Sequence, residues 1–432
     1  MPRSSPDWSA SMSFLPPDND RIAPRPSRCA RLATATLFLV GFFGAAVSIC
    51  QTQTQIGGVL CRGGDGNFDA EFRTGIKVHV GAARNEFSTH TCAAKLSWEK
   101  QELVVATGVA QLDLDAFGVD LGDGLPVAAF QIKKSDTDCC MDYGIYSLEK
   151  PPRLLRTITG GDFFSARDGD LDGSVEIWTH DAAAANGFEK LTLGELDFAP
   201  TVIFRFAHGR LLDASAEFQS YFDNEIARIK AGVSAHDLED FKNSDGSLAE
   251  MPTPTTADRL HHLRVLKIRV LEIVWAYLYS GREQDAWRAL GEMWPPADVD
   301  RIRAALLNAR AHGIGGQADG TSADHPEGKK KRLHIFEAAG GPGRRLEVNP
   351  PRAILLELPT ASVIQQFGSQ PQLLLDLVID AAGKVRAVEP TEKASVVDRD
   401  RIKMAMTWKF IPAFKDGRAV ASHMRIAVSP KQ

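Results

Sequence analysis

With 432 residues, 44% of them hydrophobic and 24% charged, the chain is too long for one core and ordinary in composition for folded protein. Its 50 Lys and Arg against 55 Asp and Glu give a formal net charge of -5. That balance excludes a nucleic-acid surface running along the whole sequence, which needs a basic excess.

Residues 32–50 read LATATLFLVGFFGAAVSIC, an uncharged run of 19 residues. At about 1.5 Å per residue it just crosses a hydrocarbon core of about 30 Å. Arg3, Arg21, Arg25, Arg28 and Arg31 precede it, against Asp7, Asp18 and Asp20, and the following QTQTQIGGVL has no charge. Positive flanks stay in the cytoplasm, so residues 1–31 are expected inside and the bulk of the chain outside. Two fates fit this segment equally: a retained single-pass anchor, or a cleaved signal with Ala46 and Ser48 as its small-x-small pattern. In an oxidising compartment Cys61, Cys92, Cys139 and Cys140 can pair, and four cysteines allow three pairings. Adjacent Cys139 and Cys140 are expected to take different partners, because a bridge between neighbours is strained. No Cys-x-x-Cys is present, which argues against zinc.

Residues 51–208 alternate short apolar runs with Gly and Asp turns and predict a β-rich domain. KLSWEKQELVVA, LPVAAFQIKK, GIYSL, VEIWTH and PTVIFRFA each read as strands. The run DGDLDGSVE puts Asp168, Asp170 and Asp172 at positions 1, 3 and 5 of a loop, with Gly173 next at the turn. Ser174 can add its carbonyl and Glu176 a carboxylate. Alternate oxygens on a tight turn suit a hard cation, so these five residues are the candidate calcium ligands, with calcium in a structural role. Thr179 stands where an EF-hand needs Glu. The spacing resembles instead the calcium loops of FG-GAP, integrin-type propeller repeats, and Asp123-Gly124 is a weaker upstream echo.

Residues 209–312 are predicted helical. Leu263, Leu266, Val270, Ile273, Val274, Tyr277 and Leu278 fall on one face at helical spacing. Gly281 breaks this helix, Pro295-Pro296 stop the next, and a third is expected from Asp298 to about His312. Tyr277, Gly281, Ala286 and Pro295 resemble one tetratricopeptide hairpin. His261 and His262 are adjacent and point to different sides, against a metal pair. Residues 313–345, with GIGGQADGTSADHPEGKKKR and AAGGPGRR, are expected to be a solvated linker.

Residues 346–432 are expected to form a small α+β unit in the order strand, strand, helix, strand. LLLDLVID and VRAVEP flank the turn AAGK, DRDRIKMAMTWKF reads as a helix, and RAVASHMRIAVSP as the last strand. The signature WKFIPAFKDGRAV, carried by Trp408, Phe410, Pro412, Ala413 and Gly417, together with the hairpin VIDAAGKV, resembles the TonB C-terminal domain family. The resemblance covers about residues 348–429. It implies a partner strand added along Ser422, His423, Met424, Arg425 and Ile426, and a periplasmic location for the exported part. The chain departs from the family's energy transducers. Its apolar segment has no His, folded domains replace a Pro-rich spacer, and Asn349-Pro350-Pro351 stand where Tyr-Pro is usual.

No phosphate-binding Gly loop, Gly-x-Ser-x-Gly elbow or His-Glu-x-x-His occurs. The expectation is therefore a multidomain binding or scaffolding protein of the cell envelope, not an enzyme, with an envelope protein as its partner and no nucleic acid. The alternatives are a TonB-type energy transducer for outer-membrane transport and a periplasmic hydrolase with an unrecognised site.

Overall fold

The computed structural model describes residues 59–83, 91–169, 172–248, 257–322, 334–338, 348–355, 373–390 and 402–428. All of these belong to one unit, 56–432. The apolar run 32–50 lies outside the described residues. Among the described residues, no helix is long and apolar enough to cross a membrane.

Asn67–Glu71, Lys77–Ala82, Cys92–Trp98 and Gln101–Val109 form a four-stranded antiparallel meander. Val78 and Val80 point into a core shared with Leu112, Leu114 and Phe130, while Lys77 and His79 alternate away from it, the period expected of a half-buried strand. KLSWEKQELVVA is a hairpin rather than one strand. Trp98 pairs with Gln101 across a two-residue turn in which Glu99 takes φ +53°.

A nine-stranded sheet follows, and most of it runs in chain order as an antiparallel meander. Its strands are Cys61–Arg62, Gln111–Asp120, Pro126–Lys133, Met141–Ser147, Leu154–Arg167, Glu176–Asp181, Thr201–Ala207, Arg210–Asp213 and Gly320–Thr321. The last pairs in parallel with Arg210–Asp213. The acidic loop therefore joins neighbouring strands of one continuous sheet.

Cys61 and Cys92 are bonded, with Cα atoms 5.9 Å apart, and both are fully buried. Cys139 is bonded to Cys140, which corrects the expectation of separate partners. Cys61 and Cys92 lie on different sheets and meet inside the core that the two sheets share. Cys139 and Cys140 lie on the turn between Pro126–Lys133 and Met141–Ser147, where they are bonded to each other.

The predicted helical pieces are present as Ala257–Tyr279, Glu283–Met293 and Val299–His312, preceded by Gln219–Ala231 and Ala235–Lys242. Gly281 ends the long helix at φ +78°. The apolar stripe is buried, but against the sheet. Leu266, Val270, Ile273, Val274 and Trp275 share one core with Trp178, Ile203, Phe204 and Phe206. The helices and the large sheet thus bury their apolar faces together, and the helices need no stacked repeats to do so.

Part of the expected linker is also structured. Ile314 donates its N–H to the buried Asp181 carboxylate at 2.9 Å, and Tyr279 donates to the same group at 2.7 Å. Gly313 is needed there because a Cβ would collide with that carboxylate. Gln317 then pairs with the Thr159 backbone, and Gly320–Thr321 completes the sheet.

A half-buried ion network ties the helices to the Phe188–Lys190 turn. Glu189 meets Lys267 at 2.7 Å and Arg301 at 2.6 Å, and Arg301 also meets Asp298 at 2.5 Å. Burial alone raises the Glu189 carboxyl, but Arg301 and Lys267 outweigh it and hold it at about 2. This stabilisation is present above the ordinary carboxylate value and is lost as pH falls through about 2. Glu189→Gln is expected to lower stability at neutral pH by about 1–2 kcal/mol after solvent screening. In urea titrations at a series of pH values, the gap from the parent chain should close as pH approaches 2.

The C-terminal part is a small sheet of Leu373–Ile379, Val385–Pro390 and Ser422–Val428, joined by Phe336–Glu337. Its separate core holds Leu375, Leu377, Ile379, Val385, Ala405, Trp408 and Phe410. The predicted helix is shorter than expected at its C-terminal end. Its described turn stops before Trp408, and Lys409–Ile411 is a strand paired with Arg352–Leu355. Pro412 follows, and Ala413–Lys415 and Arg418–Val420 form a tight hairpin through Asp416 and Gly417, both at positive φ.

Candidate functional site

The C-terminal sheet is fixed to the large sheet by buried charge. Asp113 and Asp115 lie on Gln111–Asp120, each 2% exposed. Lys384 Nζ reaches Asp115 Oδ1 at 2.5 Å and its carbonyl at 2.7 Å, and Lys409 pairs with Asp113. Asp115 also accepts from Tyr143 Oη and the Ala166 N–H, both at 2.7 Å. Burial first, and then the Asp115 charge, push the Tyr143 phenol well above its usual value. Phe414 meets Phe72 edge-on at 6.1 Å.

The acidic loop sits at the same junction. The Asp168 N–H donates to Asp380 Oδ2 at 3.1 Å, and Arg386 donates to the Gly169 carbonyl at 2.9 Å. Burial raises the Asp380 carboxyl, with Arg386 offsetting part of that. Within the loop, the Asp168 carboxylate accepts from the Asp172 and Gly173 N–H groups at 3.0 and 2.9 Å. Asp172 Oδ1 accepts from the Ser174 N–H at 2.8 Å. Glu176 accepts from the Gly169 N–H at 3.0 Å and from Arg205 at 3.1 Å. These carboxylates are engaged by the loop's own amides and, at Glu176, by the buried Arg205 guanidinium. Asp170 lies outside the described residues. Among the described residues, no group of three or more His, Cys, Asp or Glu is arranged to hold a metal.

The predicted partner strand is Ser422–Val428. It pairs antiparallel with Leu373–Ile379 from Leu373 opposite Val428 to Ile379 opposite Ser422. Met424 and Ile426 pack on the small core. Arg425 pairs with Asp376 directly across the ladder, at 2.7 and 2.8 Å, and holds that carboxyl below its usual value. The other side of the strand is partly occupied. Phe336–Glu337 runs parallel to it, with Phe336 opposite Ser422 and Glu337 opposite His423. The Phe336 N–H donates to the Ala421 carbonyl at 3.0 Å, and the Ala338 N–H to the His423 carbonyl at 2.9 Å. Backbone groups alternate sides along a strand, so the next outward-facing peptide groups belong to Arg425 and Ala427. Among the described residues, no strand pairs with them.

Of the five residues expected to bind a partner, Ser422 and His423 therefore lie beside a segment of the chain itself, and Ser422 is fully buried. Met424, Arg425 and Ile426 continue the edge, with the Arg425 side chain 55% exposed. The signature residues are structural. Trp408 and Phe410 fill the small core, and Pro412 and Ala413 are buried. Gly383 has φ +81°, and a Cβ there would collide with the Phe410 carbonyl. Sequence reasoning missed the 334–338 segment. Its signal was the run His334-Ile335-Phe336, β-prone residues within a Gly-rich and charged stretch. Comparisons of the chain with known protein families, with characterised proteins and with solved structures give no match.

Proposed function

We propose that this chain is a cell-envelope protein of the binding or scaffolding kind, whose TonB-like C-terminal sheet takes an extended segment of a partner protein as an added strand. The observation that carries this reading is the pairing of Phe336–Glu337 along Ser422–Val428. That edge accepts a strand, and its outward peptide groups continue past the present occupant. One other edge, Gln101–Val109, is irregular. Two register shifts interrupt its ladder with Cys92–Trp98, and such bulges blunt an edge against pairing. The clamps from Lys384 and Lys409 also favour a scaffold, since they hold the C-terminal sheet on the large sheet rather than leaving it to swing.

The test is a selection of displayed random peptides on the full chain, repeated on Ala427→Pro. Proline removes an outward N–H while leaving the small core untouched. Peptides that bind the parent chain and are lost on the variant support the reading. Peptides that bind both equally, or no binders at all, would overturn it.

A further inference from the structure

We infer that residues 334–338 are a built-in strap over the partner-strand site, and that a partner peptide must displace it. We also infer that the strap displays the kind of peptide the site takes: an extended segment, parallel to Ser422–Val428, with an aromatic residue followed by an acidic one. This inference rests on the partner-strand reading above.

The side chains of the strap are read by this edge and its neighbours. Lys415 Nζ lies 4.2 Å from the centre of the Phe336 ring, a cation–π contact. Glu337 meets His423 Nδ1 at 3.3 Å, and its charge also acts on Arg425. Ala338 is buried beside Val348 and Ala413. An aromatic residue, an acid and a small residue thus each have a counterpart on the C-terminal unit. A basic residue in place of Glu337 would face His423 and Arg425 instead.

The hold is short. Among the described residues two residue pairs join the strap to the edge, flanked by the Phe336 and Ala338 N–H bonds to the Ala421 and His423 carbonyls. Ser422 Oγ is buried without a hydrogen-bond partner among the described residues. The sequence after Ala338 is Ala-Gly-Gly-Pro-Gly, which lacks both the side chains and, at Pro342, the N–H that would extend the ladder. A partner segment that keeps the Phe-Glu pattern and also reaches Arg425 and Ala427 makes more main-chain bonds than the described strap residues 334–338 do. It can therefore take its place, as strand addition requires.

The experiment uses the full chain and a labelled peptide of its own residues 332–340, RLHIFEAAG. Binding is measured on the parent chain, on Ala338→Pro, which lacks the N–H donated to His423, and on Phe336→Ser, an independent release of the strap. Melting curves confirm that each variant is folded, and either folded variant suffices. The released chain is expected to bind the peptide at least about tenfold more tightly than the parent, because a site closed most of the time weakens apparent affinity by its open fraction. The same peptide with Ser and Lys in place of Phe and Glu is expected to bind the released chain at least about tenfold more weakly. Equal binding to parent and released chains would show that the strap does not gate the edge. Equal binding of both peptides would show that the Phe-Glu pair is not read. If the released chain ignores the strap peptide yet still binds selected peptides that Ala427→Pro abolishes, this inference fails and the partner-strand reading survives. If it binds neither, both fail.

Discussion

Lys384→Met is expected to destabilise the junction of the two sheets by about 3–5 kcal/mol, the cost of leaving a buried charge without its partner. Lys384 is the ammonium that meets the carboxylate of Asp115, whose side chain is 1% exposed. After the substitution Asp115 keeps two hydrogen bonds, from Tyr143 and from the Ala166 N–H, but no longer has this cation beside it. Methionine fills much of the same volume, so the loss reports charge rather than packing. Adding Asp115→Asn to Lys384→Met removes the orphaned charge and should restore part of the stability. Urea denaturation followed by tryptophan fluorescence checks this. A single variant no less stable than the double would contradict the assignment.

Trp408→Ala is expected to cost about 3–5 kcal/mol, as large-to-small changes of a buried aromatic do. Its effect should be local. Trp408 belongs to the core of Leu375, Leu377, Ile379, Val385 and Phe410, which is separate from the core shared by the helices and the large sheet. Calorimetry of the variant should therefore resolve two transitions. The C-terminal one should move down by more than about 10 °C, and the main one should stay near its parent value. A single transition shifted as a whole would mean that the two cores unfold as one.

Local pattern was legible in the sequence, and long-range pairing was not. The stripe from Leu263 to Leu278 predicts the helix Ala257–Tyr279, because its period needs only neighbours along the chain. The same stripe is silent about what covers it, so the partnership of Val270 and Ile273 with Phe204 and Phe206 could not be read. The alternation of VEIWTH and PTVIFRFA predicts the strands Glu176–Asp181 and Thr201–Ala207 correctly. KLSWEKQELVVA hid a hairpin, since Glu99-Lys100 lacks the usual Asn-Gly or Asp-Gly signal. The spacing of Asp168, Asp170 and Asp172 suits a cation, and the same residue type caps turns by accepting backbone N–H groups, as Asp168 and Asp172 do here. Lys384 and Asp115 are 269 positions apart, and nothing local marks either as buried. The candidate edge was visible through the alternation of His423 and Arg425 with Met424 and Ile426. Its occupant was not, because two paired residues in a Gly-rich stretch are too short to show a period.

The most direct test of the partner-strand reading is amide hydrogen exchange across residues 421–428 of the full chain, with and without a peptide selected on it. The account predicts slowed exchange centred on the outward-facing amides of Arg425 and Ala427, with Gln101–Val109 unchanged. A bound peptide that leaves 421–428 unprotected, or that protects Gln101–Val109 instead, would contradict it.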